Sequence, residues 1–133
     1  MNDEISMTND KMTNSTSAKP YDLEERTGRF GEDIVTFAKR IPVTLVTESL
    51  IPQLVRSGTS VGANYCEADN AGSKKEFRYR ISICKRESRE SKHWLRMIAT
   101  AVPELKEEAR KLWREAQELN LIFSAIYRSK KSS

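Results

Sequence analysis

Six basic side chains recur along one stretch of the chain: Lys74, Arg78, Lys85, Arg89, Lys92 and Arg96. At about 100° per residue they fall within one narrow arc of a helix. From Ser73 to Ala101, nine Lys and Arg stand against three Glu, a local charge of +6. Such a row is the footprint of contact with a polyanion, RNA or DNA first, although solvated helix faces also carry charge. An acidic protein partner is the alternative. Other chemistry is harder to assemble. A di-iron bundle needs two Glu-x-x-His motifs, and Glu90-Ser91-Lys92-His93 supplies one, with the chain's single histidine. Cys84 and His93 lie nine residues apart, on opposite sides of a helix, so they do not share an ion. No metal or cofactor is expected.

Nucleophilic catalysis lacks its parts as well. The chain has no Gly-x-Ser-x-Gly elbow and no Gly-x-x-x-x-Gly-Lys loop, and Ser57 and Ser60 lie on a different helix from the lone histidine. Glu67, Glu87 and Glu90 are carboxylates of the right type for general acids, but an ion pair is the more ordinary role, with Arg80 in reach of Glu87. Trp94, Trp113 and Tyr65 read as core or interface anchors rather than cofactor-stacking rings. The chain is expected to be non-enzymatic, with no small-molecule substrate.

The elements that hold these residues follow from spacing. Phe77, Ile81, Cys84, Ser88, Ser91, Leu95, Ile98 and Val102 alternate four and three, the seam of a helix packed lengthwise against others. Ser73, with Glu76 at the capping-box position, starts this helix. Leu23, Thr27, Phe30, Ile34, Phe37 and Ile41 form an earlier seam, opened by Asp22 as N-cap and closed by Pro42. The second helix, with Leu50, Leu54, Val61, Tyr65 and Ala68 inward, contains Pro52; either it bends there or a turn at Thr44–Ser49 precedes a helix with Pro52 in its first turn. Gly58 and Gly62 each cost about 1 kcal/mol of helix propensity, which points to close packing within the fold or to a self-association contact. Leu105, Ala109, Leu112, Ala116, Leu119, Phe123 and Ile126 give a fourth seam after Pro103, and the tail after Tyr127 reads as frayed. The fold class is all-α, an antiparallel up-down four-helix bundle spanning residues 21–131, preceded by a disordered tail over residues 1–20.

Length and composition agree. The chain has 133 residues, 38% hydrophobic and 32% charged, with only five Gly and four Pro, which suits one exposed helical domain. Net charge is +4, but the segment from Tyr21 to Asp69 is −3, so positive charge gathers in the second half. Two cysteines make no disulfide framework. No apolar run approaches the ~20 residues of a membrane span, and the first twenty residues lack the apolar segment of a signal peptide, so a cytoplasmic location is expected.

The segments DLEERTGRFGEDIVTFAKRIP, IPQLVRSGTSVGANYCEA, SKKEFRYRISICKRESRESKHWLR and EAQELNLIFSAIYRS together resemble the four-helix-bundle family named for the 23S ribosomal RNA intervening-sequence protein. The likeness runs from Asp22 to Ser129. It implies an up-down bundle, frequently a homopentamer, encoded in some bacteria within insertions of ribosomal RNA genes. A more distant likeness is to the accessory protein of diversity-generating retroelement reverse transcriptases, a basic bundle associated with nucleic acid and the polymerase. The residues that carry over are structural: Arg56, Ser57, Ser60, Asn64 and Glu67, then Glu87, Glu90, Trp94 and Leu95. Tyr65 and Cys66 receive no role. Large apolar side chains off the seams, Ile83, Trp94, Met97 and Trp113, leave surface for an oligomer to cover. Gly58, Gly62, Trp94 and Trp113 are the expected packing or oligomer contacts.

Overall fold

Each seam becomes one helix. The computed structural model describes residues 22–131: α1 (Leu23–Ala38), α2 (Thr47–Asp69), α3 (Lys74–Ala101), a 3-10 turn (Pro103–Leu105) and α4 (Lys106–Lys131). The expected tail over residues 1–20 lies outside the described residues. Asp22 accepts from Glu25 N at 3.3 Å and Ser73 from Glu76 N at 3.1 Å, so both N-caps form. The Glu25 carboxylate turns to Arg29 at 3.0 Å. Residues 128–131 continue α4, which runs on to Lys131, where the sequence suggested a frayed tail.

Two ends differ from expectation for local reasons. α1 stops at Ala38, before Ile41; Arg40 N and Ile41 N then bond to the carbonyls of Phe37 and Ala38, a tighter last turn that still buries Ile41 at 4% exposure. α2 follows a turn in which Thr44 and Thr47 cap each other: Thr47 N donates to Thr44 Oγ1 (3.1 Å) and Thr44 N to Thr47 Oγ1 (2.8 Å), while Thr47 Oγ1 donates to Pro42 O (2.5 Å). Pro52 therefore falls past the first turn, on the exposed side of the helix.

Among the described residues each helix packs on two neighbours, in the cyclic order α1, α2, α3, α4. The pairings run in opposite directions. Thr27 meets Gly62 while Ile34 meets Gly58. Arg56 reaches Glu87 while Asn64 accepts from Arg80, and Lys92 meets Gln117 while Lys85 O accepts from Asn120. Arg26 bridges to Glu115 and Glu118, and Arg40 to Glu108. The bundle is thus antiparallel throughout. Its core holds Phe30, Ile34, Phe37, Leu54, Val61, Ile81, Leu95, Ile98, Leu119 and Phe123, all at 2% exposure or less.

Small residues set the α1–α2 and α2–α3 spacing. A Cβ at Gly58 would stand 2.8 Å from Cγ1 and Cγ2 of Ile34, and one at Gly62 would stand 3.2 Å from Thr27 O. Across α2–α3, Ser91 Oγ donates to Ser57 Oγ at 3.1 Å and Cys84 Sγ to Val61 O at 3.5 Å. Ile83, read as an off-seam residue, is 8% exposed.

Candidate nucleic-acid interface

α3 presents its basic residues along the edge that borders α4, and α4 answers with aromatic rings. The Arg78 guanidinium lies 3.8 Å over the Tyr127 ring and Lys85 Nζ 5.1 Å over the same ring. Lys92 Nζ lies 5.1 Å over Trp113 and donates to Gln117 Oε1. Lys74, Arg89 and Arg96 are exposed. The six residues therefore divide: three project freely, and three lean into the α3–α4 groove with their charged heads over rings.

The groove widens into two recesses. One, about 400 Å³, is lined by Lys85, Arg86, Arg89, Lys92, Asn120 and Tyr127 with Ser82. The other, about 340 Å³, has a floor of Leu95, Ala99 and Ala109, a wall of Trp113, and a rim of Arg96, Lys106, Arg110 and Arg114. Among the described residues, none of Lys85, Arg89, Lys92, Arg96, Lys106 and Arg114 has a carboxylate within ion-pair distance. Two of the three acids of α3 are occupied elsewhere. Glu87, 5% exposed, accepts from Arg56 at 3.0 Å and meets Arg86 at 3.5 Å; Glu90 pairs with Arg56 and accepts from Trp94 Nε1 at 3.4 Å. This corrects the expected Glu87–Arg80 pair: Arg80 donates to Asn64 Oδ1 at 3.0 Å. With Glu87 and Glu90 turned toward α2, the groove side of α3 keeps its positive field.

The α4 share of the groove is what the sequence reading missed. Lys106, Arg110 and Arg114 repeat every four residues and Trp113 sits beside them, a signal present in the chain that spacing of the apolar seam does not single out. Trp113, 36% exposed, edges the groove, whereas Trp94 packs partly buried against the core with His93 edge-on at 4.8 Å. Gly58 and Gly62 face α1 within the same chain.

Chemistry that needs converging ligands is not assembled. Among the described residues no group of His, Cys, Asp and Glu could hold a metal ion, and Cys66 and Cys84 are both free. Burial pushes the Cys84 thiol up to about 12, so it stays protonated. No helix among the described residues is long and apolar enough to cross a membrane.

Fold and groove define a class: a basic four-helix bundle with an aromatic-edged cationic channel between its last two helices. The model of the 23S rRNA-intervening sequence protein family matches residues 21–125, and the chain belongs to that family. A crystal structure of a protein of unknown function from the S23 ribosomal protein family of Bacteroides thetaiotaomicron has a similar fold. It is 28% identical, with a TM-score of 0.68 over 79% of this chain and 97% of that one. No curated protein matches the chain.

Proposed function

We propose that this chain is a non-enzymatic, cytoplasmic scaffold that associates with RNA along the α3–α4 groove and assembles with copies of itself into a ring, a pentamer by the family likeness. One observation carries the reading: six cations without carboxylate partners line a groove edged by two aromatic rings. The family's name, which refers to ribosomal RNA, supports it. Self-assembly is supported by Val43, Leu45, Val46 and Leu121, which are 75%, 89%, 60% and 57% exposed and would be covered in a ring. A ring repeats the groove once per subunit, and avidity multiplies a modest single-site affinity.

Filter binding over a salt series tests the reading. If about six phosphates are neutralised per site, the log–log slope is about −4 for single strands. Arg89→Gln, Arg96→Gln and Arg114→Gln together remove exposed charge without touching the core, so slope and affinity fall while helicity stays. Absence of binding at ~50 mM salt removes the RNA reading and leaves an adaptor for an acidic protein, which tRNA would not displace.

A further inference from the structure

Resting on that reading, we propose that the Trp113 recess is a base-stacking site and that the groove takes single-stranded RNA in preference to duplex. Trp113 is the one large aromatic of the groove that walls a recess with an apolar floor, between Leu95, Ala99 and Ala109 below and Arg96, Arg110 and Arg114 at the rim. At about 340 Å³ the recess lies in the size range of small-molecule pockets. A flat, apolar-faced ligand that brings its own negative charge matches it: the base meets the indole and the floor, and the flanking phosphates meet the rim.

The dimensions select a single strand. The recess of about 340 Å³ has room for a single base, and a duplex, whose base faces are buried in its own stack, has none to offer it. Trp113 and Tyr127 are fourteen residues apart on α4, about 21 Å, with the Lys85, Arg89 and Lys92 cations along the path between them. A strand laid along the groove would thus find the Trp113 ring at one end and phosphate partners throughout, the combination used by sequence-tolerant single-strand binders. The charge argues against a second copy of the same face as occupant. Arg96, Lys106 and Arg114 would meet their own kind, and only Arg110 has a carboxylate close by, Glu107 at 3.3 Å.

Three labelled probes of equal length on the full chain separate stacking from charge: a twelve-residue oligouridylate, a twelve-residue abasic ribose phosphate, and a twelve-base-pair RNA duplex. Stacking predicts that oligouridylate binds roughly 5- to 150-fold tighter than the abasic strand, and tighter than duplex at the same salt. Trp113→Ala should erase the preference for bases while leaving the abasic affinity and its salt slope unchanged, and Trp113→Phe should keep part of it. In a Trp94→Phe background, where Trp113 is the only indole, oligouridylate should quench the fluorescence and the abasic strand should not. Equal binding of oligouridylate and the abasic strand, or a preference that survives in Trp113→Ala, overturns the stacking site and leaves the charge reading standing. Binding of none of the three at ~50 mM salt overturns both.

Discussion

Gly58→Ala sets two effects of known sign against each other. Alanine is the better helix former by about 0.8–1.0 kcal/mol, so an open helix position would gain. At Gly58 the new methyl would lie 2.8 Å from both Cγ1 and Cγ2 of Ile34 and 3.1 Å from its Cβ. Ile34 is fully buried and β-branched, so it has no free rotamer to retreat into, and α1 itself must shift. Overpacking costs about 1–3 kcal/mol, and with Ile34 so constrained the upper half of that range applies. The net expectation is a loss of about 1–2 kcal/mol. For a domain of this size that lowers the melting temperature by roughly 4–10 °C. Gly28→Ala is the control, since nothing lies within 4 Å of a Cβ there, and it should hold or raise the melting temperature. Ile34→Ala removes both clashing carbons, Cγ1 and Cγ2, so combining it with Gly58→Ala should cost less than the two single changes summed, a non-additive cycle. Thermal melts at one protein concentration read all four variants, so that a shift in assembly does not masquerade as stability. A Gly58→Ala protein melting at or above the parent would show that α1 and α2 do not approach this closely.

The two thiols should separate cleanly: Ellman's reagent at neutral pH titrates exposed Cys66 in the native protein and reaches Cys84, buried with its thiol pushed up to about 12, only after denaturation. Arg56→Ala should destabilise by about 1–2 kcal/mol, because Glu87 is left buried with only Arg86 at 3.5 Å, and adding Glu87→Gln should restore part of it; denaturant midpoints decide.

Much of this architecture could be read from residue spacing because four-three repeats specify a buried stripe whatever the neighbours are. Every seam position of α3 from Ile81 to Ile98 is buried. What spacing misses is anything decided between helices. Spacing offered Glu87 a cation two turns away on its own helix, Arg80, while its close partner, Arg56, lies 31 residues away on α2. The basic arc of α3 was visible, but an up-down bundle can wind in either hand. Only the winding determines that α4, with Trp113 and Tyr127, borders that arc rather than α2 with its pairing to Glu87 and Glu90. The early end of α1 was hidden for a different reason: Ile41 keeps its inward position through two short-range turn bonds after the α-helix has stopped.

The seam between α1 and α4 is fastened unlike the other three. The two helices approach each other least, and the bridges across their gap are ionic: Arg26 to Glu115 and Glu118 near one end, Arg40 to Glu108 toward the other. At ~1 M salt the screening length shrinks to about 3 Å, and such part-exposed pairs lose most of their hold while the apolar seams do not. α1 is then held by its apolar face alone, which makes it the expected first segment to open, swinging on its α2 contact like a door on one hinge. Its amides should exchange with solvent through a partial opening well below the global unfolding free energy, and that opening should become more frequent as salt is raised. α2, α3 and α4 would remain docked meanwhile, which leaves the cationic channel intact in a molecule whose first helix has come away.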